Sequence, residues 1–108
     1  GATFKEDVSD IRNSKVIDIV NELKSYQVMV DLIDPHANSS EMEKEYGVAL
    51  VSETRNDYDA VIVAVNHEDY IKLDEKYFQG ILKDNNGVFV DVKGIYKDKM
   101  KELEYWSL

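Results

Sequence analysis

The first fourteen residues bring an aromatic ring, two cations and three carboxylates close together in the chain. Phe4 offers a flat apolar face, and Lys5 and Arg12 supply positive charge. A helical pattern follows, and Ser14 is predicted to cap that helix, with Asn13 as the alternative. Because the free N–H groups of a helix N-terminus attract anions, the stretch is predicted to suit a ligand that carries phosphates beside a base.

A third cation, Lys93, lies in the segment Asp91–Gly94, directly after a strand predicted at Val88–Val92. Ligands of a doubly wound sheet bind at the carboxyl ends of its strands, so Lys5 and Lys93 are expected at the same edge. Two cations there suit a diphosphate. A solvated lysine in a turn is the alternative for Lys93, and Asp91 is expected either to orient it or to cap the turn.

The opening residues also have a purely structural interpretation. Phe4 and Lys5 are equally compatible with an aromatic at the edge of the core and a surface lysine. Arg12 alone would be interpreted as a surface ion-pair partner of Asp7 or Asp10. These two carboxylates are expected to cap the loop or to orient the cations, because an isolated carboxylate pair is weak support for acid–base or metal chemistry.

Two histidines follow predicted strands but show no spacing typical of a metal site. His67 follows the apolar run Ala60–Val65, and His36 follows Asp34–Pro35. Both are expected to be polar loop residues, and no metal is predicted. Four aromatic residues at element edges are predicted to belong to the core: Tyr58, Tyr70, Tyr77 and Phe78.

Composition limits the classes of function. A chain of 108 residues forms one domain that can bury a core. Its net charge of −9 repels nucleic-acid backbones and anionic membranes, so neither is expected as a partner. Cysteine is absent, which excludes disulfides and thiolate chemistry within the sequence. No stretch is typical of a signal peptide or a membrane span, so a cytoplasmic location is expected.

Helical and strand patterns alternate, which predicts a Rossmann-like α/β domain of three layers with a mostly parallel sheet. The predicted helices are Ser14 or Lys15 to about Ser25, Ser40–Tyr46 capped by Ser40 and ended by Gly47, Tyr70–Lys83 in two pieces, and Asp98–Leu103. The predicted strands are Val28–Ile33, Val48–Val51, Ala60–Val65, Val88–Val92 and a terminal Tyr105–Leu108. A turn is predicted at Asp84–Gly87.

Several short motifs, taken in order, resemble those of one enzyme family over nearly the whole chain. They are Phe4-Lys5-Glu6-Asp7, Asp10, Arg12-Asn13-Ser14, Asp34-Pro35, Tyr58-Asp59-Ala60 with His67, and Asp91-Val92-Lys93-Gly94. The set resembles the C-terminal, UDP-binding domain of the UDP-glucose/GDP-mannose dehydrogenase family. Arg12-Asn13-Ser14 and Asp91-Val92-Lys93-Gly94 are more similar to members that act on UDP-N-acetylhexosamines for capsule or O-antigen synthesis.

The resemblance implies roles for four residues. The family's counterparts of Phe4 and Lys5 contact the nucleotide-sugar, and a basic residue at the position of Lys93 often contacts the nucleotide. The counterpart of Arg12 approaches NAD, which a separate N-terminal domain binds. The resemblance thus implies three substrate-binding residues, Phe4, Lys5 and Lys93, and one cofactor-binding residue, Arg12.

The family oxidises a C6 alcohol to a uronic acid in two NAD-dependent steps that pass through a cysteine. This sequence has neither a cysteine nor a G-x-G-x-x-G motif. The resemblance therefore implies one domain, residues 1–108, of a longer, homodimeric dehydrogenase. No catalytic residue is expected in this chain, which is predicted to be inactive by itself.

In the family, a central strand runs directly into the motif that corresponds to Phe4-Lys5. The chain is therefore expected to be a piece that lacks this first strand. The strand is predicted to lie between Val28–Ile33 and Ala60–Val65, and the exposed sheet edges to promote dimer formation. A second hypothesis from another class is a stand-alone acidic α/β binding module or a receiver-like regulator, with Asp34 and Asp91 as its acidic residues.

Overall fold

A computed structural model describes residues 1–84 and 86–108 as an alternation of helices and parallel strands. The helices are α1 (Val16–Ser25), α2 (Ser39–Tyr46), α3 (Glu68–Ile71) and α4 (Glu75–Ile81). The strands are β1 (Ala60–Val63), β2 (Val88–Asp91) and β3 (Glu104–Ser107). Part of the turn predicted at residues 84–87 lies outside the described residues. None of the described helices combines the length and the apolar character that crossing a bilayer requires.

The three strands form one parallel sheet in the order β1-β2-β3. Val61 pairs with Phe89, which pairs in turn with Tyr105. These β-branched and aromatic residues suit a pleated surface that is covered by other elements. The carboxyl ends of β1 and β2 remain together beyond the ladder, because the Val92 amide donates to the Val63 carbonyl at 3.0 Å.

Two apolar clusters cover opposite faces of β1. Ile62 packs against the first cluster and Val63 belongs to the second, as expected for neighbouring residues of a strand. The first cluster includes residues of α1 and α2: Val16, Ile17, Val20 and Met42. The second centres on α4 and β2, with Phe78, Phe89, Tyr96 and Leu103. The predicted Rossmann-like α/β fold with helices on both faces is confirmed.

The predicted strands Val28–Ile33 and Val48–Val51 do not form ladders. Among the described residues, one backbone hydrogen bond joins them, from the Val51 amide to the Leu32 carbonyl at 2.9 Å. A β-branched segment becomes a strand only where a neighbour supplies successive hydrogen bonds.

Gly1 lies near Val65, since a Cβ on Gly1 would be 2.8 Å from the Val65 Cβ. The expected additional strand remains a prediction.

The predicted helix Asp98–Leu103 is also wrong. Asp98 has a φ of 67°, in the left-handed region that helices exclude. The Glu75 carboxylate instead accepts hydrogen bonds from three amides that would donate to backbone carbonyls in a helix, with N···O distances of 2.8 to 3.1 Å. These amides belong to Lys101, Glu102 and Leu103. A contact distant in sequence has overridden the local preference, and β3 follows at Glu104.

The predicted helix caps are partly wrong. The Ser14 hydroxyl donates to the Ala2 carbonyl at 2.7 Å, and α1 begins after Lys15 without a side-chain cap. Asn38, not Ser40, caps α2. Gly47 ends α2 with a φ of 69°, as predicted. The predicted two-piece helix is confirmed by α3 and α4, the second of which begins one residue after the capping residue Asp74.

The aromatic residues predicted to be in the core differ in their burial. Phe78 is 3% exposed and contacts Phe89 edge to face. Tyr58 and Tyr70 pack against the same cluster while partly exposed. The prediction is wrong for Tyr77, which is 40% exposed and has its ring edge against Phe78.

Candidate functional site

The Phe4–Asp10 loop closes on itself at the start of the chain. The Phe4 amide donates to the Asp10 carbonyl at 2.7 Å, and the Thr3 hydroxyl donates to the Lys5 carbonyl at 2.8 Å. Asp7 reverses the chain with a φ of 58°, which aspartate tolerates better than most residues. The Phe4 side chain is 55% exposed and Lys5 is exposed, so both side chains are accessible to a ligand.

The base of this loop is anchored by a buried carboxylate, Asp34. Its Oδ2 accepts from the Ala2 amide at 2.6 Å, the Thr3 amide at 3.3 Å and His67 Nε2 at 2.8 Å. Burial opposes ionisation, but the hydrogen bonds from Ala2 and His67 outweigh it, so the pKa of Asp34 lies below its usual value. Its Oδ1 accepts from two further amides, those of His36 and Ala37.

His67 connects Asp34 to the middle of the loop. Its side chain is 0% exposed, and its Nδ1 accepts from the Asp7 amide at 2.9 Å. A backbone amide can only donate, so Nδ1 carries no hydrogen and Nε2–H donates to Asp34. His67 is a polar residue in a loop, as expected, and the structure adds that it is buried and bonded at both ring nitrogens. Its place at the carboxyl end of an apolar strand was the one sequence signal of this role.

His67 also belongs to a cluster of possible metal ligands with Asp7 and His36. One ligand atom from each lies within 4.8 Å of the others. The lone pair of His67 Nδ1 that a metal would need already accepts the Asp7 amide. Asp7 Oδ1 accepts from the Glu68 amide at 2.8 Å. Hydrogen bonding therefore explains the geometry of this cluster.

Arg12 makes the surface ion pair that its sequence context suggested. Its Nε lies 3.0 Å from Asp10 Oδ1, and its terminal nitrogen lies 3.0 Å from Asp10 Oδ2. The hydrogen bonds from Arg12 lower the pKa of Asp10. Arg12 also lines a hollow of about 270 Å³ against α2, together with Ile11, Glu41, Lys44 and Glu45. The ion pair with Asp10 leaves the Arg12 side chain exposed to solvent.

Lys93 lies in the turn that follows β2, and Asp91 shapes that turn. The Asp91 carboxylate accepts from the Ile95 amide at 3.2 Å and the Tyr96 amide at 2.7 Å. It also accepts from the Tyr105 hydroxyl at 2.6 Å. Of the two roles expected for Asp91, the structure supports capping the turn. Lys93 itself is exposed.

The structure therefore places Phe4, Lys5 and Lys93 in exposed turns. Within residues 1–84 and 86–108, neither lysine has an acidic partner within 4.0 Å, unlike Arg12. Both lysines are exposed in a chain whose net charge is −9. A groove of about 320 Å³ lies near Asp34, lined by Ile33, Pro35, Val51, Ser52, Asp69, Tyr70 and Leu73.

Comparison with known proteins gives consistent matches. The chain is 43% identical over 104 residues to a UDP-N-acetyl-D-glucosamine 6-dehydrogenase of Salmonella typhi, covering 95% of this chain and 24% of that protein. It is 40% identical over 96 residues to Protein CapL of Staphylococcus aureus, covering 88% of this chain and 22% of that protein. The chain thus spans about a quarter of the length of these relatives.

The fold matches a solved structure, that of the UDP-N-acetyl-mannosamine dehydrogenase Cap5O from S. aureus. The TM-score is 0.74 at 24% identity, over 99% of this chain and 24% of that one. The family model described as the UDP binding domain of the UDP-glucose/GDP-mannose dehydrogenase family matches residues 1–98. The chain therefore belongs to the UDP-glucose/GDP-mannose dehydrogenase family and carries its UDP binding domain.

Proposed function

We propose that this chain is the substrate-nucleotide domain of an NAD-dependent UDP-sugar 6-dehydrogenase, which oxidises the C6 alcohol of a UDP-sugar to a carboxylate. The observation that carries the proposal is the exposure of two cations without an acidic partner among the described residues: Lys5 next to the exposed Phe4, and Lys93 in the turn after β2. Each charge-assisted hydrogen bond to a phosphate contributes roughly 1.5–3 kcal/mol. In this proposal the two lysines hold the diphosphate and Phe4 contacts the nucleotide.

Arg12 is proposed to approach NAD from the side of α2. Its pair with Asp10 uses two of the five N–H donors of the exposed guanidinium, which leaves the others for a second anion. NAD itself is proposed to bind mainly to another domain of the longer protein. The absence of cysteine from this chain places the cysteine chemistry of the proposed reaction outside it.

The proposed substrate is a UDP-N-acetylhexosamine, and the proposed role is surface polysaccharide synthesis in the cytoplasm by a homodimeric enzyme. The support is similarity: relatives named for UDP-N-acetyl-D-glucosamine are 43% and 34% identical to this chain. The chain by itself is expected to reduce no NAD with any UDP-sugar. Turnover by material free of the longer protein would contradict this assignment.

The test is a substitution of both lysines, Lys5→Ala with Lys93→Ala, in the longer protein. The loss of two phosphate contacts should raise KM for the UDP-sugar by about a hundredfold or more. The matched control is Lys24→Ala with Lys83→Ala, which removes two exposed lysines away from the carboxyl edge. Unchanged KM in the first variant, or equal effects in both, would contradict the proposed site.

A receiver-like regulator is not supported by the two carboxylates that suggested it. Such a protein needs an accessible aspartate that can take a phosphoryl group. Asp34 is 8% exposed and Asp91 is 0% exposed, and hydrogen bonds occupy both carboxylates. Their role in this fold is to hold the two loops of the candidate site.

A further inference from the structure

His67 is the side chain that joins the candidate ligand loop to the sheet. In the middle of the loop, the Asp7 amide donates to His67 Nδ1. At its base, the Ala2 amide and His67 Nε2 both donate to the Asp34 carboxylate. The Glu68 amide reinforces the contact by donating to Asp7 Oδ1. Because Lys5 lies between the base and the middle of the loop, the position of its backbone depends on both nitrogens of one ring.

We infer that His67 is a positioning residue whose neutral Nε2–H tautomer holds the Phe4–Asp10 loop in its ligand-binding shape. A second proton would place a hydrogen on Nδ1, directly opposite the Asp7 N–H. Two donors would then face each other, and the 2.9 Å hydrogen bond would be lost. The identity of the ligand rests on the proposed function, whereas the contact between His67 and the loop does not.

The ring is enclosed by groups that hold it in this orientation. They are Asp34 at 2.8 Å, Asp7 at 3.9 Å, the rings of His36 and Tyr70 at 4.6 and 5.4 Å, Thr3, and the amino group of Gly1 beside Asp34.

Two isosteric substitutions separate the two nitrogens of His67. The amide oxygen of His67→Asn occupies the place of Nδ1 and still accepts the Asp7 amide. The amide nitrogen of His67→Gln occupies the place of Nε2 and still donates to Asp34. Each variant therefore keeps one of the two hydrogen bonds of the ring and loses the other.

The probe is UDP-N-acetylglucosamine, whose diphosphate is esterified at both ends and keeps its charge at pH 8. Calorimetric titration at pH 8 should show that His67→Gln binds about tenfold more weakly than wild type, whereas His67→Asn keeps the affinity of wild type. Glu22→Gln is the control, since it changes an exposed side chain on α1.

If His67→Asn and His67→Gln have equal affinities at pH 8, the inference is overturned.

A ligand-free measurement keeps the inference testable if no UDP-sugar binds or a variant fails to fold. Long-range ¹H–¹⁵N spectra of the wild-type imidazole should show hydrogen on Nε2 only at pH 8, with a scalar coupling between the Asp7 amide nitrogen and Nδ1. In His67→Gln the Asp7 amide should exchange faster, because its acceptor Nδ1 is gone. Hydrogen on Nδ1 at pH 8 would overturn the inference, whereas absence of binding with the expected spectra would overturn only the proposed function.

Discussion

Replacing Asp34 by Asn tests the anchor that holds the candidate site together. Oδ2 accepts three hydrogen bonds and Oδ1 accepts two, and all five partners are N–H groups. An asparagine amide has only one oxygen, so its NH₂ group must face donors on one side. In the less damaging orientation the amides of His36 and Ala37 lose their acceptor.

The expected cost follows from those two amides. Leaving a buried donor without a partner costs about 1–3 kcal/mol, and both amides are partly buried, so Asp34→Asn should lower the free energy of unfolding by about 2–4 kcal/mol. That is a large share of the roughly 5–15 kcal/mol of a typical domain. With a urea m-value of about 2 kcal/mol/M, in the middle of the usual range, the midpoint should fall by roughly 1–2 M.

The pH dependence has a definite sign. The pKa of Asp34 is lowered in the folded chain, so its stabilisation is complete above the unfolded value of about 3.9 and is lost as pH falls through the folded value. Protonated Asp34 resembles Asn, so the difference between wild type and variant should shrink in acid. Urea unfolding at pH 7 and across the acid range measures both effects.

Asp18→Asn is the control, because Asp18 is exposed on α1 and its substitution should change stability by less than about 0.5 kcal/mol. A midpoint for Asp34→Asn at pH 7 equal to that of the control would show that Asp34 does not anchor the loop.

Two further substitutions test how the remaining loops are held. Glu75→Gln should cost about 1 kcal/mol at pH 7, measured by urea unfolding, because a neutral amide oxygen is a weaker acceptor for the three amides before β3. The effect should fade in acid, since these amides outweigh burial and lower the pKa of Glu75. Gly94→Ala should cost about 1 kcal/mol through its φ of 72°, with no contact within 4 Å to add a clash. Gly80→Ala in α4 is its control and should stabilise the chain by about 0.5–1 kcal/mol; equal thermal midpoints for the two alanine variants would contradict the strain argument.

The parts of the fold that the sequence predicted well depend on local patterns. Apolar residues at helical spacing located α1, and an uninterrupted apolar run located β1. The rule that ligands bind at the carboxyl ends of parallel strands predicts Lys5 and Lys93 at one edge, and this remains a prediction.

The parts that the sequence missed depend on contacts between distant residues. Glu75 and the amides at 101–103 are more than twenty positions apart, and their contact replaced the helix predicted at Asp98–Leu103. Ser14 was predicted to cap α1 but bonds to Ala2 across the loop. The role of His67 depends on Asp7 and Asp34, which lie 60 and 33 residues away. No local pattern predicts such pairs.

The central claim is that an anionic nucleotide binds where the Phe4–Asp10 loop and the Lys93 turn meet the sheet edge. Its most direct test is a ¹H–¹⁵N correlation spectrum of this chain titrated with UDP-N-acetylglucosamine at pH 8. We expect saturable shifts at the amides of Phe4 to Asp10 and of Lys93 and Gly94, and we expect Lys5→Ala with Lys93→Ala to abolish them. Shifts confined to the groove lined by Ile33 and Tyr70, or shifts that persist in the double variant, would contradict it.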